Sequence, residues 1–206
     1  MNVGKIKGSL SRRSMLNRIF KSSIEFKPLS QTEFQALREG AEVIEKDGYG
    51  EKVLLLPDGT YLKLFRRKRL ISSALFYPYA KRFVVNAEKL EILGIRCPKV
   101  IGAYKFSNPR RDIVHYSPVG GLTLRNLKKE GKLTDETIIQ TIKFVTEIHK
   151  KNIFFRSLHP GNIVFSNTQF GLIDISDLQI KSRGLSAFAR RKNLQNLIDE
   201  LLSTLP

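Results

Sequence analysis

Residues 153–177, IFFRSLHPGNIVFSNTQFGLIDISD, constrain the fold more than any other stretch of this chain. An apolar run gives way to a polar loop, Ser157-Leu158-His159-Pro160-Gly161-Asn162. Ile163-Val164-Phe165 follows as a short strand, then a turn at Ser166-Asn167-Thr168, then Gly171-Leu172-Ile173-Asp174 as a second strand. Pro160-Gly161 forces a tight bend that aims the amide of Asn162. Asn162 and Asp174 therefore bracket a strand pair, with oxygen ligands on adjacent strand ends. That donor set suits a hard cation such as Mg²⁺. Singly, each residue would serve equally well as a turn former, and only their pairing gives the pattern weight. Asp177, three residues beyond, could be a second carboxylate of the site, although a solvated Asp is the simpler reading.

The remaining elements place this segment in the second half of the molecule. Val43-Ile44, residues 53–56 and residues 61–65 read as three antiparallel strands. They are separated by Asp47-Gly48-Tyr49-Gly50 and by Pro57-Asp58-Gly59-Thr60, the second of which carries an Asp-Gly hairpin signal. Phe83, Val84, Ala87, Leu90 and Leu93 recur at helical spacing, so a helix is expected over residues 80–93 with Gly94 as its stop. Residues 98–104 and 112–116 read as two further strands. A second helix is expected over residues 135–150 behind a Thr134 cap, and a third over residues 191–201. The order is a strand-rich half followed by a helical half, joined near residues 117–124, which makes the chain α+β and bilobal.

Several side chains in this frame suit phosphate chemistry. Lys63 lies inside the third strand between Leu62 and Leu64, so it points away from its apolar neighbours. It can reach phosphates if a carboxylate holds it, and Glu88 on the following helix is the natural partner. Taken alone, the two would be an ordinary surface Lys and Glu. Gly48 and Gly50 sit where the first hairpin turns, so backbone amides there could cover phosphates, although a hairpin turn needs no ligand to explain its glycines.

Charge points the same way without choosing a partner. Among 206 residues, 36 Lys and Arg against 19 acids give +17, a field that draws nucleotides, nucleic acid or acidic lipid headgroups. The cluster Lys63, Arg66, Arg67, Lys68, Arg69, with Tyr77 and Tyr79 nearby, suits an acidic glycolipid or other phosphorylated substrate and lacks any nucleic-acid motif. Cys97 is the only cysteine, which excludes an internal disulfide and suits a reducing compartment. No apolar run approaches the ~20 residues of a membrane span, and the N-terminus lacks an apolar signal region. A cytoplasmic protein is expected. Residues 1–35 are expected to form a basic flexible segment, in which Met15, Leu16, Ile19 and Phe20 could touch the inner membrane peripherally.

These residues together resemble the lipopolysaccharide-kinase branch of the protein-kinase-like superfamily: the small bacterial Kdo and heptose kinases and relatives named for toluene tolerance. The resemblance runs over about residues 41–201. SLHPGNIVF followed by LIDIS is similar to that family's DLHPGN and LIDF pair. YLKLF resembles its strand-three Lys motif, and NAEKLEILGIRCPKVI its Glu-bearing helix. The resemblance implies a bilobal kinase-like domain over residues 36–206, with a small antiparallel-sheet N-lobe to about 116 and a reduced helical C-lobe from about 117. It implies ATP and Mg²⁺ as cofactors, Lys63 paired with Glu88, Asn162 and Asp174 on the metal, and an inner-core sugar hydroxyl as acceptor. The short stretch after Asp174 is expected to leave no room for the large peptide-holding lobe of protein kinases.

One departure governs the expected activity. The family's catalytic Asp falls on Ser157, and Phe155 stands where a His would be two residues earlier. A hydroxyl cannot take a proton as a carboxylate does, and losing a general base typically costs on the order of 10²–10⁴ in rate. His159 could titrate near neutrality and is a second catalytic candidate beside Ser157, but the family carries a His there beside its Asp, which favours a structural role. The expectation is a degenerate kinase that keeps its nucleotide and turns over slowly or not at all. The alternatives are a pseudokinase scaffold or regulator at the inner membrane, and a basic nucleic-acid-binding protein.

Overall fold

The computed structural model describes residues 22–66, 78–166 and 169–203. The expectations for Met15, Leu16, Ile19 and Phe20, for Arg67, Lys68, Arg69 and Tyr77, and for the Asn167-Thr168 turn lie outside the described residues.

A six-stranded sheet, in the order β1-β5-β6-β4-β3-β2, forms the N-lobe. β2 (Glu42–Asp47), β3 (Gly50–Leu55) and β4 (Tyr61–Arg66) are the expected antiparallel trio. β5 (Lys99–Ser107) and β6 (Arg110–Ser117) complete its antiparallel part. β1 (Phe26–Leu29) adds a parallel edge against β5, with Phe26 opposite Ala103. α1 (Gln31–Leu37) begins in a capping box: the Ser30 hydroxyl accepts from the Glu33 amide, and the Glu33 carboxylate accepts from Ser30. The boundary expected at residue 36 thus falls inside a helix, and the sheet starts before it.

Alternation along the strands separates two apolar layers. Leu54, Leu62, Phe106 and Ile113 face α1 and Phe34, closing one small core. Ala103 and Val114 face the other way and join a larger core. In β5 the parity changes across a bulge between Val100 and Gly102, which leaves Ile101 unpaired and turns Val100 toward the larger core.

α2 (Tyr79–Ile92) lies under that second face. Phe83, Val84, Ala87 and Leu90 are buried, as the spacing predicted. Gly94, at φ +69°, ends the helix while the Ile95 amide reaches back to the Leu90 carbonyl. Cys97 donates its thiol to the Ala87 carbonyl, and burial first, with Glu91 second, pushes its pKa up to about 12, so it is an inert structural thiol.

The C-lobe comprises β7 (Leu122–Thr123), α3 (Leu124–Lys129), α4 (Asp135–Lys150) and α5 (Ala187–Leu202) around two small sheets. β9 (Ile163–Ser166) pairs with β10 (Gln169–Leu172) and with β7, and β8 (Ile153–Phe155) pairs with β11 (Leu178–Ile180). α4 runs over the residues expected, with the Thr134 hydroxyl accepting from the Thr137 amide. Val145, Ile148, Ile153, Phe155, Ile163 and Leu172 join the same core as α2 and the sheet's inner face. Among the described residues, no helix is long and apolar enough to cross a membrane.

Gly121 lies at the junction of the lobes at φ +121°. A Cβ there would come within 2.5 Å of the Phe165 carbonyl oxygen and 2.7 Å of Ser166 Cβ. Both the backbone angle and the backbone contact forbid a side chain. Gly121→Ala is expected to lower unfolding stability by roughly 1–3 kcal/mol, read by chemical denaturation.

Candidate active site

The loop after β8 is built from its own backbone outward. The Leu158 amide returns to the Phe155 carbonyl at 3.2 Å, and His159, in extended conformation, caps a 3-10 turn over Pro160–Asn162. His159 Nδ1 accepts from the Gly161 amide at 3.1 Å and lies 3.3 Å from Arg125 Nη2. Its pKa falls below the usual histidine value, through burial first and the Arg125 charge second. The ring braces the loop through Nδ1, which is already engaged by the Gly161 amide.

Asn162, itself buried, ties the loop to the next strand. Its Nδ2 donates to the Ser157 carbonyl at 2.9 Å and its carbonyl accepts from the Ile173 amide at 3.0 Å. Donation through Nδ2 leaves Oδ1 as the lone-pair end of the amide. Asp174 follows at once in left-handed backbone conformation, φ 50° and ψ 45°. An Asp tolerates that region better than most residues, but it must be held there.

Asn86 does part of the holding, and sequence reasoning missed it. From the apolar face of α2 its buried Nδ2 donates to the carbonyls of Ile175 at 2.7 Å and Leu178 at 2.9 Å. These flank the 3-10 turn Ile175–Asp177 just beyond Asp174. The available signal was a lone amide between Phe83, Val84, Ala87 and Leu90, which a helix tolerates only when the amide has partners.

Lys63 projects from β4 on the face shared with Phe65, Tyr116 and the inner core. Its ammonium lies 5.7 and 5.9 Å from the ring centroids of Phe65 and Phe83. Tyr116 packs on Phe83 at 5.3 Å and on Tyr61 at 5.8 Å, so an aromatic surface adjoins the lysine. Lys63 Nζ donates to Asp174 Oδ1 at 2.6 Å, joining a strand of one lobe to a strand end of the other.

The expected Lys63–Glu88 pair does not form. Glu88 Oε1 instead accepts from the Ser23 amide at 2.9 Å and the Ser23 hydroxyl at 2.5 Å. Glu88 Oε2 is buried and has no hydrogen-bond partner among the described residues. A short segment ahead of β1 brings two donors to the carboxylate, while the lysine finds Asp174 on the other lobe.

Two further expectations are now placed. Gly48 and Gly50 stay in the β2–β3 turn, where the Tyr49 carbonyl accepts from Arg111 and Arg66 stacks on the Tyr49 ring. A Cβ on either glycine would meet nothing within 4 Å, so packing does not demand them. Asp177 is not a solvated carboxylate. Its side chain is 13% exposed, the Ser157 hydroxyl donates to its Oδ2, and Arg156 Nε stands 3.7 Å from the same oxygen.

The fold is bilobal and kinase-like, and Lys63 of the N-lobe sheet meets Asp174 of the C-lobe. No family model and no curated protein matches the chain. Among solved structures it is similar to the bifunctional kinase-methyltransferase WbdD, at 17% identity and TM-score 0.50 over 76% of this chain. A high-resolution crystal structure of WbdD gives 16% identity and TM-score 0.50 over the same share. The chain spans 34% and 35% of the length of those two chains. At such identity the likeness is one of fold.

Asn86→Ala would strip two buried carbonyls of their donor. A stability loss of about 1–3 kcal/mol is expected in denaturant unfolding. A second expectation concerns pH. All three histidines, His115, His149 and His159, have pKa values pushed below the usual 6.5, each by burial first. Below that value the unfolded chain takes up protons that the folded chain refuses, so folding stability is full above it and falls as pH drops. Thermal unfolding measured from pH 7.5 to pH 5 should show a steadily falling midpoint.

Proposed function

We propose that this chain binds ATP with Mg²⁺ between its lobes and transfers a phosphoryl group to a sugar hydroxyl of the lipopolysaccharide inner core, at a rate reduced by Ser157. The observation that carries the reading is the meeting of Lys63 and Asp174 from opposite lobes, 2.6 Å apart, beside the loop that fixes Asn162. A cation for phosphates and a hard oxygen donor meet there, next to Ile173, whose amide bonds the Asn162 carbonyl.

The residues fit the metal. Asn162 Oδ1 and the Asp174 carboxylate are oxygen donors of the type Mg²⁺ takes, with phosphate and water oxygens completing the shell. Asp174 is 54% exposed and already attracts a cation, the Lys63 ammonium. When bound, the ion would neutralise phosphate charge during transfer. Lys63, released from Asp174, would hold phosphate oxygens as a point charge. The half-buried rings of Tyr61 and Tyr116, stacked at 5.8 Å, offer an apolar neighbour for a purine base.

The acceptor assignment rests on the resemblance of SLHPGNIVF and LIDIS to the lipopolysaccharide kinases. The +17 charge supports an acidic glycolipid presented at the inner membrane. A pseudokinase that keeps the nucleotide without transfer is the second reading. It is favoured by the hydroxyl at Ser157 and by the commitment of Glu88 to Ser23 rather than to Lys63.

Isothermal titration with Mg²⁺-ATP tests the nucleotide site. Wild type is expected to bind, and Asp174→Ala to lose at least tenfold in affinity. A wild-type protein without affinity for Mg²⁺-ATP would overturn the reading.

A further inference from the structure

We propose that Asp177 supplies the proton-accepting carboxylate of this site, working through the Ser157 hydroxyl. The inference rests on the nucleotide-binding reading above and concerns how the proton leaves the acceptor. The sequence position of the missing carboxylate is filled by Ser157, yet a carboxylate is present in space. It comes from the turn after Asp174 rather than from the loop itself.

Four observations carry this. The Ser157 Oγ–H donates to Asp177 Oδ2, so the hydroxyl hydrogen is committed and the oxygen's lone pairs remain to accept another. Asp177 is largely withdrawn from water, and its Oδ1 is buried with no hydrogen-bond partner among the described residues. A carboxylate kept in that state costs stability that a neutral side chain would not, which is a common mark of a working group. Its one recorded ion-pair partner among the described residues, Arg156, stands at 3.7 Å on a side chain that is 71% exposed, a weak and screened compensation. Finally, both ends of the pair are fixed. Asn162 Nδ2 holds the Ser157 carbonyl, and Asn86 holds the carbonyls of Ile175 and Leu178 on either side of Asp177.

The proton path balances without any further reactant. The acceptor O–H gives its proton to Ser157 Oγ while the Ser157 hydrogen passes to Asp177 Oδ2. The acceptor oxygen forms its bond to the γ-phosphorus as the bond from that phosphorus to the β,γ-bridging oxygen breaks. The electron pair leaves on ADP. Asp177, now a neutral acid, returns its proton through Ser157 to solvent once the products have gone. Ser157 is then the catalytic residue that touches the acceptor, and Asp177 the carboxylate behind it.

The test follows ADP release from Mg²⁺-ATP with water as acceptor, on the full chain, beside titration of Mg²⁺-ATP binding. Asp177→Asn is expected to bind Mg²⁺-ATP as wild type does and to lose about 10²-fold or more in turnover, the scale of a general base. Moving the carboxylate back, in the double variant Ser157→Asp with Asp177→Asn, should recover most of that loss. A purely structural role for Asp177 would give no such recovery. Should Asp177→Asn not fold, Ser157→Ala must lose turnover and Ser157→Thr, which keeps the hydroxyl, must regain it. Unchanged turnover in Asp177→Asn, no recovery in the double variant, or a wild type that binds Mg²⁺-ATP without releasing ADP would each overturn the relay alone. Failure of wild type to bind Mg²⁺-ATP would instead remove the reading beneath it, and the relay with it.

Discussion

Helix α2 is the element against which both halves of the molecule are built. Phe83, Val84, Ala87 and Leu90 fill the space between the inner face of the sheet and the C-lobe strands, within one continuous apolar core. Burying side chains of this kind contributes roughly 1.5–3 kcal/mol each. The Lys63–Asp174 pair, whose carboxylate is more than half exposed, contributes at most about 1 kcal/mol. Packing therefore holds the lobes together, and the ion pair adds little to that hold. Asn86 is the point where packing and chemistry meet, since its amide sits in the core and fixes the backbone on which Asp174 and Asp177 are mounted.

Much of this was legible in the chain. α2 and α4 follow from apolar spacing bounded by Gly94 and Thr134, because both period and stop signals are local. The loop from Ser157 to Asn162 and the strand pair beyond it follow from the same kind of signal. β1 and α1 were hidden for different reasons. β1 is four residues long and pairs in parallel with a distant strand, so nothing nearby in sequence announces it. α1 carried a readable signal, Ser30 followed three residues later by Glu33, which went unused.

Site contacts were less legible than site residues. Lys63 meets Asp174, but the partner of Lys63 depends on how closely the lobes approach and on what else reaches Glu88. Ser23 settled that competition from a stretch that looked like a basic tail. Asp177 stayed open between two readings for a similar reason: an Asp near a turn is told from a solvated one only by a hydroxyl from another loop against it. Pairings between residues far apart in sequence are decided by tertiary packing, which has no local signature.

The shared core also limits how the lobes can move against each other. A close-packed interior resists shear, so rotating one lobe against the other would break contacts between α2, β5, β6 and the C-lobe strands at once. The β2–β3 hairpin has no such anchor on its outer strand, since every residue of β2 is exposed and β2 ends the sheet. Displacing that strand forfeits ladder hydrogen bonds to β3 but little buried surface. Least surface is thus at stake at the β2 edge of the sheet, and most around α2, where one core serves both halves.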